Sequence, residues 1–251
     1  MRLVVSPAKK MNVVDAPPYA QGVPRFIDRT HELMEAVRAL SRKEAQALWR
    51  CSDKLADLNY ERFRTMELDA GLTAAVMSYE GIQYQHLAAQ VMDEKCLDWL
   101  QGHLRILSGF YGVLRPLDGV VPYRLEMQAK LAVGGARDLY GYWGSALLDE
   151  LASDGCSVGV NLASQEYAKA VVPYAREAGV PVLTCQFCTV RASDGKLVQQ
   201  ATEAKAARGT FVRWCAEKDV ASPDALRGFD ERGYALDASR SKDDVLVFVK
   251  Q

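Results

Sequence analysis

No stretch of this 251-residue chain approaches the ~20 apolar residues that a membrane-spanning helix needs; the longest runs, Leu72–Met77 and Val245–Val249, stop far short. An export signal is also missing, because Met1–Pro7 has no long apolar segment and soon meets Lys9 and Lys10. The expectation is therefore a cytoplasmic protein with no membrane partner. Nothing matches a P-loop, a G-x-S-x-G nucleophile elbow or a G-x-G-x-x-G fingerprint, so the standard nucleotide-binding and triad-hydrolase assignments have no local support. The three histidines, His31, His86 and His103, lie far apart and show no H-x-x-x-H or H-E-x-x-H spacing. No metal site and no cofactor are expected from them.

Charge of one sign is scarce too. With 31 basic and 32 acidic side chains the formal net charge is −1, which excludes a uniformly basic protein. Disorder is excluded as well, since 49% of the residues are hydrophobic. The even count of six cysteines suggests disulfides, but a chain of this length can be held by its core, and without an export signal reduced thiols are expected. Cys185 and Cys188 have C-x-x-C spacing, but they fall in the β-branched run Val180–Val190. On a strand, residues three apart point to opposite faces, and no second C-x-x-C completes a zinc site.

What is present reads as one mixed α/β domain over residues 1–251, with a mixed sheet, surrounding helices and an unusual order of elements. Arg2–Ser6 has the character of a buried strand. Apolar periodicity predicts helices over Arg25–Leu40, from Ser41 onward with Glu44 completing a capping box, and from Asp53 to about Phe63 with Ser52 as the cap. In that third helix Leu55 and Leu58 are expected to face inward. A further helix is predicted over Asp93–Leu107, then a turn-rich region from Gly109 to Pro122, then a helix over Asp138–Leu151. Ser157–Ala163 reads as a strand, and Val180–Val190 with Lys196–Gln200 as a hairpin turned at Asp194-Gly195. A helix over Glu203–Glu217, interrupted by Gly209, and strands at Tyr234–Leu236 and Val245–Val249 complete the chain.

The near-zero net charge conceals a pattern. Residues 1–64 hold 12 bases and 8 acids, and residues 65–102 hold one base and six acids. Residues 103–130 and 196–213 are again basic, with four bases against two acids and four against one. Meeting in space, the basic segments would form a cleft that attracts phosphates; scattered over the surface, they would be ordinary solvated faces. Ser6-Pro7-Ala8-Lys9 follows the predicted first strand, where a hydroxyl and an amine can meet a ligand at a sheet edge. Lys54 opens a helix. Gly109 and Gly112, in Leu107–Gly112, allow either a helix-hairpin-helix-like turn presenting amides to phosphates or a tight turn that simply needs glycine. Arg115, Arg124 and Glu126 sit in turn-rich sequence, paired internally or framing a polar pocket.

At these same residues the chain resembles the YaaA family of peroxide stress proteins. The likeness is carried by Ser6–Lys9, by Ser52–Asn59 with Arg62-Phe63, and most strongly by His103–Asp118 continuing through Pro122–Met127. It extends through Tyr142–Gly144, Asn161–Ser164 with Glu166-Tyr167, Ala204–Gly209 and Leu246–Phe248. The resemblance implies a protein that limits peroxide damage, linked to lowering unincorporated iron. It also implies binding of duplex or branched DNA, without sequence specificity, in a basic cleft beside a helix-hairpin-helix-like element. Carried onto this chain, the cleft cations are Lys9, Lys54, Arg115, Arg124, Lys130, Lys205 and Arg208.

The alternative is an enzyme acting on a phosphorylated or nucleotide-like small molecule. It is motivated by polar variety beyond what phosphate clamping requires, with Glu126, Asn161, Ser164 and Glu166 beside Ser6 and the lysines. A deep pocket collecting these side chains would favour it, and a shallow groove with splayed lysines would count against it. Direct iron binding has no ligand spacing to support it. The sequence leaves the oligomeric state open.

Overall fold

A computed structural model describes all of residues 1–251, and one mixed sheet runs through it from residue 2 to residue 250. Five strands at its centre are parallel, in the spatial order Val245–Lys250, Val182–Val190, Gly159–Asn161, Arg2–Val5 and Leu104–Ser108. Antiparallel strands close both edges: Tyr234–Leu236 beside Val245–Lys250, and Gly112–Leu114 beside Leu104–Ser108. The short strand Leu197–Val198 folds back on the end of Val182–Val190, with the expected turn at Gly195, whose φ is +68°. Interior parallel strands are covered on both faces, so they read as unbroken apolar runs. Leu3, Val5, Leu104, Ile106 and Val160 are accordingly all fully buried.

The strand order reverses at Arg2–Val5. From it the chain crosses first to Leu104–Ser108 on one side, and later to Gly159–Asn161 on the other. In open α/β sheets such a reversal leaves a crevice at the carboxyl ends of the two diverging strands. Those ends are Val5-Ser6 and Asn161–Ser164.

Several sequence expectations hold. Helices span Ile27–Arg38, Arg42–Trp49 with the Ser41–Glu44 capping box, and Asp53–Thr65. Others are corrected. Ser52 occupies the cap position of the third helix but makes no side-chain cap bond. That helix buries Ala56, Asn59 and Phe63, leaving Leu55 and Leu58 exposed, because its inward stripe is set by Phe63 stacking on Trp49. The helix expected over Asp93–Leu107 ends at His103, and Leu104–Ser108 is an interior strand. A fully buried strand shows no alternation, and the Leu100–Leu104–Leu107 spacing mimics a helical stripe.

Beyond it, Gly109–Tyr111 turns a β-hairpin rather than a helix-hairpin-helix. Gly112 sits at φ +76° against the ring of Trp143, and a Cβ on Gly109 would lie 2.5 Å from the Leu125 carbonyl oxygen. The predicted helix over Asp138–Leu151 is two, Leu139–Trp143 and Ala146–Ser153, separated at Gly144 with φ +51°. Gly209 does not interrupt its helix, which runs unbroken over Ala201–Glu217. It lets the carbonyl oxygen of Gln83, on the helix Ile82–Leu87, approach where a Cβ would stand. That close packing swings the first turns of the long helix over the carboxyl edge of the sheet. No helix is long and apolar enough to cross a membrane.

Candidate functional site

The crevice at the strand reversal is built by two serines. The backbone amide of Ser164 donates to Ser6 Oγ at 2.8 Å, and the two hydroxyls lie 3.2 Å apart. This clips the ends of two neighbouring parallel strands together. The Ser6 carbonyl in turn accepts from Tyr84 Oη at 2.9 Å and from Gln83 Nε2 at 3.2 Å. The next residues are held by a small antiparallel pair, Lys10–Met11 with Tyr79–Glu80, reinforced by Lys10 Nζ to Glu80 at 2.7 Å. Backbone from residues 6–10 and 80–84 thus becomes two fixed walls.

Between those walls lies a cavity of about 530 Å³. Residues 123–126 and 164–167 supply further walls, and Lys205 and Arg208 reach it from the long helix. The volume falls in the range of small-molecule sites. Five lining cations face three acids, a formal balance of +2. Lys9 Nζ sits 2.8 Å from Glu126 Oε2, and Arg124 Nη2 lies 3.0 Å from Glu126 Oε1, so one carboxylate serves two cations.

The arginines set the character of the site. The Arg124 side chain is 10% exposed, and its Nε–H is buried without an acceptor. Arg208 makes no ion pair, its Nε–H is likewise buried and unpartnered, and burial pulls its guanidinium below the usual arginine range. A buried cation with no counter-charge is costly, so natural proteins almost always pair it. Burial also pushes the half-buried Glu166 carboxyl up, with Glu126 adding to the shift, while the amide of Gln128 donates to it at 3.2 Å and opposes the shift. A less readily ionised Glu166 leaves the cavity more positive still. Behind the floor, Tyr79, Tyr123 and Ser108 form a hydroxyl chain with contacts of 2.8 and 2.6 Å. Burial pushes Tyr123 up to about 12, so it stays neutral and donates.

The structure thus gathers Ser6, Lys9, Arg124, Glu126, Ser164, Glu166, Lys205 and Arg208 from the residues singled out in the sequence. Others fall elsewhere. Lys130 lines a neighbouring cavity of about 800 Å³, to which Lys9 and Glu126 also contribute. Lys54 is exposed on its helix and lines neither cavity. Arg115 lies at the opposite, amino edge of the sheet, where it joins Arg2 and Arg105 on Asp154. Asn161 is buried and caps its own strand end, its Oδ1 accepting from the amide of Ala163 at 3.0 Å. Gly109 and Gly112 are buried, and Ser108 Oγ already accepts from the amides of Phe110 and Tyr111, so the turn does not present a row of amides to a phosphate.

Sequence reasoning missed Gln83 and Tyr84 as lining residues, and it gave Tyr123 and Tyr167 no role although both lie in stretches that carry the family likeness. No motif marks Gln83 or Tyr84, and residues 65–92 stand out only for their acidity. No group of three or more His, Cys, Asp or Glu side chains is arranged to hold a metal ion.

Comparison with known proteins adds a family context. The family described as "Peroxide stress protein YaaA" matches residues 1–240. A "UPF0246 protein" of Pediococcus pentosaceus is 46% identical over 250 residues, covering 100% of this chain and 98% of the relative. Similar proteins with the same description occur in Lactiplantibacillus plantarum, 44% identical with 100% of both chains covered, and in Lachnoclostridium phytofermentans, 43% identical with 100% and 96% covered.

Proposed function

The chain belongs to the peroxide stress protein YaaA family, and from that premise we propose that it serves the peroxide response by binding a phosphorylated, nucleotide-like molecule in the cavity at the strand reversal. One observation carries this reading. Arg124 and Arg208 both line one cavity, and each keeps a buried Nε–H that no protein group accepts. Guanidinium groups match phosphate oxygens in charge and geometry, and a bound phosphate supplies the counter-charge that Arg208 lacks. Placement at the carboxyl ends of parallel strands agrees with where α/β sheets take ligands.

Calorimetric titration with pyrophosphate and with a nucleoside diphosphate at low salt tests the proposal. Saturable binding that Arg208→Met weakens by tenfold or more is the expected result. Absence of binding by every phosphate-bearing ligand would overturn it.

A second reading is favoured by the exposed lysines around the two cavities, Lys9, Lys10, Lys205 and Lys130, which suit a nucleic-acid backbone outside the site. Duplex or branched DNA held by about four phosphate contacts would lose affinity with salt at a logarithmic slope near −3.6. Gel shifts over a salt series measure that slope, and no retardation of any DNA form at low salt removes this reading. The lowering of unincorporated iron is indirect in both cases. Stoichiometric uptake in an anaerobic Fe(II) titration would contradict that.

A further inference from the structure

Three acids line the phosphate cavity, and two of them are claimed by neighbouring cations. Glu80 is paired with Lys10, and Glu126 with Lys9 and Arg124. Glu166 forms no ion pair. Its Oε1 accepts from the amide of Gln128 at 3.2 Å, while Oε2 has no hydrogen-bond partner in the protein and is not sealed from the cavity. An open carboxylate oxygen thus faces a space otherwise suited to an anion.

Glu166 also stands close to the cations. Gln128 holds both carboxylates at once, its amide donating to Glu166 and its Nε2 to Glu126 Oε2 at 3.4 Å, and Glu126 in turn holds Arg124. Lys9 acts on Glu166 from the other side of Glu126, and Lys205 and Arg208 reach the same cavity from the long helix. The remaining groups against Glu166 are uncharged. Met127 supplies a second amide, and burial pushes the hydroxyls of Tyr140 and Tyr167 up, so both stay neutral.

An ionised carboxylate only accepts hydrogen bonds, and so does a fully ionised phosphate. Set against each other they repel, unless one proton lies between them. A terminal phosphate can hold that proton, because its second ionisation falls near about pH 6. A phosphodiester, as in a nucleic-acid backbone, brings no proton and retains one only weakly. Burial, with Glu126 adding, moves the Glu166 carboxyl up in the direction of the phosphate value.

We propose that Glu166 determines specificity in this cavity by sharing one proton with a terminal phosphate, so that a phosphomonoester or the end of a polyphosphate is selected over a diester. This inference rests on the phosphate-site reading and narrows it from phosphate in general to a phosphate that ends its molecule. No covalent bond is made or broken apart from the proton's own. That proton comes from the ligand below about pH 6 and from solvent above it.

Calorimetry on the full chain, in two buffers of different ionisation enthalpy, counts the protons taken up. With a nucleoside monophosphate at about pH 7.5, most of one proton per bound ligand is expected, and affinity should fall about five- to tenfold from pH 7 to 8. The methyl diester of the same nucleotide should bind at least about tenfold more weakly at pH 6. Glu166→Gln keeps an oxygen for the amide of Gln128 and offers an N–H to either ligand. In that variant proton uptake should vanish and the preference for monoester over diester should shrink several-fold.

Saturable monophosphate binding without proton uptake would overturn the assignment while leaving the phosphate site standing. A monoester preference that Glu166→Gln leaves intact would do the same. Failure of both the monophosphate and pyrophosphate to bind would remove the underlying phosphate reading, and this inference with it.

Discussion

Ser164 donates its backbone amide to the hydroxyl oxygen of Ser6 across the carboxyl ends of two neighbouring parallel strands, at 2.8 Å. The bond joins residues 158 apart in sequence at the floor of the candidate site. Ser6→Ala removes the acceptor and leaves a partly buried N–H unpaired, a loss of about 1–2 kcal/mol. Urea unfolding should show a lower midpoint, and phosphate affinity should fall with it. A midpoint equal to that of the unmodified chain would show that the clip contributes nothing.

Arg208 should trade stability for binding. It is a mostly buried cation without a carboxylate, so Arg208→Met is expected to raise unfolding free energy by about 1 kcal/mol. The same variant should weaken pyrophosphate by tenfold or more, roughly the loss of one charge-assisted pair. Thermal melts and titrations on one preparation check both signs. A less stable variant with undiminished binding contradicts the assignment.

Gly209 inverts the usual helix rule. In an exposed helix Ala is better than Gly by about 1 kcal/mol. Here a Cβ would stand against the Gln83 carbonyl oxygen, so Gly209→Ala should destabilise by about 1–3 kcal/mol through overpacking. The readout is the urea midpoint at unchanged slope. Stabilisation by Ala would mean that the two helices are free to separate.

Asp118 carries a pH dependence. It is 4% exposed, and burial pushes its carboxyl up to about 6, opposed by the amide of Arg115 at 2.8 Å. A folded value above the unfolded one means that ionisation is penalised by folding. The group's contribution is complete below about pH 4 and is lost as pH rises through about 6. Asp118→Asn keeps the acceptor for Arg115 without the charge. Its stability relative to the unmodified chain should therefore improve between pH 4 and 7, by roughly 2–3 kcal/mol. A difference that stays flat across that range would refute the assignment.

Cys185 should be inert to peroxide. Its burial pushes the thiol up to about 12, and the thiolate is the form that peroxide attacks. Mass spectrometry of the folded protein after hydrogen peroxide treatment should find Cys185 unmodified. Sulfenic acid at that position in the native state would place thiol chemistry back in the mechanism.

Much of the architecture was legible because burial leaves periodic traces. The capping box at Ser41 and Glu44, the turn at Gly195 and the terminal strands all lie where pattern and turn chemistry place them. Leu104–Ser108 was not legible, because a strand buried on both faces carries neither period clearly. The site shows the same division. Residue type marked Arg124 and Arg208 as cations, but the unpartnered Nε–H of each is a property of the folded interior alone. Arg115 looked identical in sequence, yet it is claimed by Asp154, 39 residues later. Gln83 and Tyr84 contribute through bonds to a backbone carbonyl 77 and 78 residues away, which no local motif encodes.

The reversal of strand order has a consequence for synthesis. Arg2–Val5 is made before either of its neighbours, since it pairs on one side with Leu104–Ser108 and on the other with Gly159–Asn161. At ~5–20 residues per second, some ten to thirty seconds pass before its second neighbour exists. During that interval an apolar β-segment waits with open hydrogen-bonding edges. The crevice that Ser6 and Ser164 close therefore cannot form until 158 further residues have followed its first wall.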